Sequence, residues 1–152
     1  MNEKDIEIEL LAEQLALLSE ELESVGMSTE LILEPDDAPY LMVMEDYFTK
    51  GQEESPISPI TIEYEFLDDE HDGDAPLLLR VELTINMSKG RVATLKKRYL
   101  AWNKAENLSR AYFDEENGVL FFEMTTTDYG RVLPPEAVRL MADTLADEVR
   151  KL

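Results

Sequence analysis

Apolar residues near the start of the chain recur with a helical period. Ile8, Leu11, Leu15, Leu18, Leu22 and Val25 lie 3, 4, 3, 4 and 3 residues apart, setting six side chains on one face of a helix over residues 5–25. Leu10 and Leu17 widen the stripe, which favours packing on a sheet over a narrow coiled-coil seam. Asp5, Glu7 and Glu9 suit the positive end of the helix dipole, and Gly26 is the expected stop.

The period then changes to two. Leu31–Leu33 predicts a short strand ending at Pro35-Asp36-Asp37-Ala38-Pro39. Tyr40–Met44 is nearly all apolar, as expected of a strand covered on both faces. Past a polar loop at 47–58, Ile60, Ile62, Tyr64 and Phe66 alternate with Thr61, Glu63 and Glu65, giving a half-buried strand with an acidic outer side. After an acidic loop at 67–76, Leu77, Leu79, Val81, Leu83, Ile85 and Met87 alternate with Arg80, Glu82, Thr84 and Asn86. That long strand is expected to pair antiparallel with the one before it.

Ser88 can cap a helix running to about Asn103. Val92, Leu95, Tyr99 and Trp102 form its apolar face, and Arg91, Lys96, Lys97, Arg98 and Lys104 its basic one. A hairpin follows: Ala111–Phe113 and Val119–Met124 flank a turn whose Asn117-Gly118 supplies the positive φ. Pro134-Pro135 opens the last helix, with Val138, Met141, Leu145, Val149 and Leu152 as its buried stripe. The order α-β-β-β-β-α-β-β-α describes an α+β fold, one antiparallel sheet packed by helices, in a single domain spanning residues 1–152.

Composition narrows the function. Hydrophobic residues make up 44% of the chain, enough for a core. The absence of cysteine excludes disulfides, thiolate metal sites and cysteine nucleophiles, and suits a reducing cytoplasm. The longest apolar run, Tyr40–Met44, falls far short of the about 20 residues a membrane helix needs. The start, Met1-Asn2-Glu3-Lys4-Asp5, is acidic where a signal peptide is basic. A cytoplasmic protein, not embedded in a membrane, is expected.

The net charge of −20 is unevenly placed. Residues 1–76 hold 23 acids and two bases (−21), whereas residues 77–152 hold 11 acids and 12 bases (+1). Such a field repels phosphate, so neither nucleic acid nor anionic membrane is an expected partner. A basic protein surface and plain solubility both remain open.

The single histidine, His71, lies within Asp68-Asp69-Glu70-His71-Asp72-Gly73-Asp74 and cannot build a His-rich zinc site. Read as a calcium loop, that run puts Leu79 where a bidentate glutamate belongs. Nucleophile-elbow, Walker and dinucleotide glycine patterns are absent. With 34 acids, some carboxylate pair must fall close by chance, which leaves a paired-carboxylate hydrolase as an alternative. No catalytic residue, metal site or cofactor is assigned.

The stretch LKKRYLAWNKAENLSRAYFDEENGVLFFEM, residues 95–124, resembles the YbjN family of bacterial sensory-transduction regulators, which are similar in fold to type III secretion chaperones. Trp102-Asn103, Arg110, Tyr112 and Asp114 match its signature, and the likeness spans roughly residues 90–150. The resemblance implies a helix-and-sheet domain that often dimerises, binds extended peptides and has no catalytic motif. Trp102, Asn103, Arg110, Tyr112 and Asp114 are first read as structural.

The leading expectation is therefore a non-catalytic module, chaperone-like or regulatory and dimeric, that takes a polypeptide of unknown identity along a sheet edge or a helix–sheet groove. Leu95, Tyr99 and Trp102, with Lys96, Lys97 and Arg98, are the candidate dimer or partner contacts. The alternative is an acidic decoy that mimics DNA and fills a basic protein groove.

Overall fold

The computed structural model describes residues 3–35, 37–45, 57–67, 76–86, 108–114, 116–128 and 133–150. The described elements are helix α1 (Glu3–Ser24), strands β1 (Thr29–Ile32), β2 (Tyr40–Val43), β3 (Thr61–Phe66), β4 (Leu77–Asn86), β5 (Arg110–Asp114) and β6 (Val119–Asp128), and helix α2 (Pro135–Val149). The expected helix at 88–103 lies outside the described residues, as does most of the acidic loop at 67–76.

The strands form one six-stranded sheet in the order β1-β2-β3-β4-β6-β5, and every neighbouring pair is antiparallel. Register runs true to the alternation in the sequence. Ile62 faces Val81, Tyr64 faces Leu79, Val81 faces Met124 and Leu83 faces Phe122, so one side of the sheet is apolar across its middle strands. Leu11, Leu15, Leu18 and Leu22 of α1 and Val138, Leu145 and Val149 of α2 close over that side and make one core with it. Leu15, Leu22, Ile62, Leu79, Phe122 and Leu145 are fully buried, each stabilising by about 1.5–3 kcal/mol.

The turns follow local chemistry. Gly26 ends α1 with φ 85°, and Gly118 closes the β5–β6 hairpin with φ 64°. The Asp114 carboxylate accepts bonds from the Glu116 and Asn117 amides and from Asn117 Nδ2, which fixes the hairpin and holds the carboxyl below its usual range. Arg139 of α2 donates to the Val25 carbonyl and ties the end of α1 to α2.

Three expectations change. Leu17 does not join the buried stripe of α1 and stays 51% exposed, because the four-leucine seam alone meets the sheet. β2 is not covered on both sides: Leu41 and Val43 are buried, Tyr40 and Met42 half-buried, and Met44 exposed. β6 extends beyond Met124 to Asp128, since β-branched Thr125–Thr127 keep pairing with the ten-residue β4. Among the described residues, no helix is long and apolar enough to cross a membrane.

Candidate functional site

Among the described residues, two places gather chemistry, one on each side of the sheet. On the side away from the helices, Arg80 stands in mid-β4 between β3 and β6. Its Nη1 lies 2.8 Å from Glu63 Oε1, its Nη2 2.9 Å from Glu65 Oε2 and its Nε 3.0 Å from Glu123 Oε2. Tyr112 of β5 donates to Glu123 Oε1 at 2.8 Å, which carries the network across four strands and raises the phenol's pKa. Burial works against the Arg80 charge, but the bonds to Glu63 and Glu65 outweigh it and hold the guanidinium above its ordinary pKa. Glu82 faces Thr61 and Glu123 on the same side. Burial, then the charges of Glu63 and Glu123, push its carboxyl up.

A raised carboxyl beside other acids is the pattern of a carboxylate-pair enzyme. Here the raised carboxyl does not line the hollow beside the cluster. A hollow of about 410 Å³ lies toward the end of β3 against Glu7 and Leu11 of α1. Glu63, Glu65 and Arg80 line it, already joined to one another, and Glu82 does not. The cluster stitches strands together. Among the described residues, no three His, Cys, Asp or Glu side chains are grouped to hold a metal ion.

The second place lies on the helix side, between α2 and β6. Val138, Ala142, Leu145, Ala146 and Val149 of α2 are buried. The small Ala142 and Ala146 allow the helix to sit close to the sheet. The adjoining flank, with Ala137, Leu140, Met141 and Thr144, looks across a groove of about 330 Å³ at Met124, Thr125 and Thr126 of β6. Leu133 and Leu108 complete the lining. Leu108 and Leu140 are the two most exposed large apolar side chains among the described residues, at 71% and 65%. Both line the same hollow, so they form one exposed apolar patch and not two scattered leucines.

A buried acid fixes the rim. Glu148, on α2 and only 8% exposed, accepts the Leu108 amide at 2.9 Å on Oε2. Its Oε1 accepts the Ser109 amide at 2.9 Å and the Ser109 hydroxyl at 2.6 Å. The start of β5 is thereby held to α2, and Leu108 is placed beside Leu140 and Met141.

The contacts expected at Leu95, Lys96, Lys97, Arg98, Tyr99 and Trp102 lie outside the described residues, as does Asn103. Arg110 is exposed on β5, facing Glu123, while Tyr112 and Asp114 serve the strand network and the hairpin. The groove residues went unnoticed in the sequence, apart from Met141, which the helical period had marked as core.

No protein-family model matches the chain, and no curated protein matches it. The fold does have a counterpart. The chain is similar to the crystal structure of YbjN from E. coli, assigned provisionally as a transcription regulator, with a TM-score of 0.59 over 90% of this chain and 89% of that one. Identity is 16%, so what the likeness establishes is the architecture: this chain has the fold of YbjN.

Proposed function

We propose that the domain is a non-catalytic polypeptide-binding module, chaperone-like or regulatory, that takes an extended segment into the groove between α2 and β6. The carrying observation is the pair Leu108 and Leu140, exposed together at the rim of a groove floored by Met124, Leu133 and Met141. Covering them removes apolar surface from water, and the two thioether side chains adapt to varied occupants. Among the described lining residues the polar side chains are threonines, so these offer hydroxyl hydrogen bonds and no titratable acid or base. The regulatory role assigned to YbjN fits a binding module.

Binding of a reduced, carboxymethylated client protein, followed by fluorescence anisotropy, tests this reading. Leu140→Ser is expected to weaken binding about tenfold with little effect on the melting temperature, because Leu140 is 65% exposed. Unchanged binding in this variant would remove the groove from the account. The second reading, an acidic decoy, is favoured by the charge of −20. A decoy's affinity collapses with added salt, whereas capture in an apolar groove persists.

A further inference from the structure

Resting on that reading, we infer that the groove selects basic amphipathic segments, with apolar side chains for its floor and lysine or arginine between them. The described residues carry 23 acids and five bases, Lys4, Arg80, Arg110, Arg139 and Arg150, a balance of −18. Of these bases, Arg80 is held by three carboxylates and Arg150 by Asp147, and Arg139 is drawn to the end of α1 and to Asp143. Among the described residues, little positive charge is left to greet an acidic ligand.

The helical wall of the groove adds a local reason. Glu136, Asp143 and Asp147 lie four residues before, three after and seven after Leu140, along the same outer side of α2; Asp143 pairs with Arg139 and Asp147 with Arg150, but these pairs are solvent-exposed and weak, and acids outnumber bases along the row. A segment lying with its apolar side chains against Met124, Leu133 and Met141 therefore runs alongside a row of carboxylates. Lysine and arginine suit this border, since their stems cover apolar surface while the cationic heads reach the acids. Glutamate in the same places meets like charge and loses steering on approach.

Three fluorescein-labelled peptides of about 12 residues, each alternating two residue types, separate the contributions. One alternates Leu and Lys, one Leu and Glu, and one Ser and Lys. Anisotropy titrations against the full chain are expected to show the Leu/Lys peptide binding about tenfold or more tightly than either of the others. Leu140→Ser should remove most of that affinity. The triple variant E136Q/D143N/D147N should narrow the gap between Leu/Lys and Leu/Glu severalfold. Equal binding of Leu/Lys and Leu/Glu overturns the charge selection and leaves the polypeptide-binding reading standing. Equal binding of Leu/Lys and Ser/Lys shows attraction by net charge alone and overturns the role of the groove. Failure of all three peptides overturns both. If the chain is also a dimer that Leu140→Ser dissociates, a second copy is the occupant instead.

Discussion

The two sides of the sheet solve the same problem by different means. On the helix side, Ile62, Leu79, Val81, Leu83 and Phe122 are at most 1% exposed, and dryness alone explains their contribution. On the other side the strands carry the half-buried Thr61, Glu63, Arg80, Glu82 and Glu123, and one guanidinium gathers three carboxylates. The dry side is held by surface removed from water, the wet side by register, since a one-residue slip would scatter the network. Their difference also locates the groove. It is a strip of the apolar side between α2 and β6, so it keeps core-like chemistry around two exposed leucines, Leu108 and Leu140.

Substitutions on each side sharpen this contrast. The largest effect is expected from Phe122→Ala, which opens a cavity under the helices and should cost about 3–5 kcal/mol in denaturant unfolding. Glu148→Ala removes one acceptor from three donors at the start of β5. The same assay should show a loss of about 3 kcal/mol, together with faster amide exchange at Leu108 and Ser109. Arg80→Met, on the wet side, leaves Glu63, Glu65, Glu82 and Glu123 without their shared cation. Its expected cost is only about 1–2 kcal/mol, because the pairs are partly solvated. A cost for Arg80→Met equal to that for Phe122→Ala would erase the distinction between the two sides.

The smallest effect concerns pH. The folded-state pKa of Glu82 lies above its ordinary 4.5 through burial and the neighbouring acids. Its contribution to stability is therefore fully present below the unfolded pKa and is lost as pH rises through the folded one. Glu82→Gln should be slightly more stable than the parent at pH 7, with the difference shrinking as pH falls toward 4.5. A difference that grows on acidification would mean the carboxylate is stabilised where it sits.

Much of the architecture was legible because its signals are local. The leucine seam of α1, the alternation along β3 and β4, and Asn117-Gly118 each name their element without tertiary information. The length of β6 was not, since Thr125–Thr127 are polar and only the partner strand shows that they continue the ladder. Glu148 left a faint trace, an acid three residues after Leu145 and beside Val149 on a buried stripe. The groove left almost none. Leu108, Met124, Leu133 and Leu140 come from four separate stretches, and nothing in their spacing says that they meet. The basic stretch with Trp102 is visible in the sequence, whereas the groove exists only where α2 and β6 come together.

Methyl-resolved NMR with labelled leucine and methionine puts the groove to its most direct trial. Addition of the unlabelled Leu/Lys peptide should shift Leu108, Met124, Leu133, Leu140 and Met141, while Met42 and Leu78, on the opposite side of the sheet, stay in place. Shifts confined to Met42 and Leu78, with the helix-side methyls silent, would contradict it.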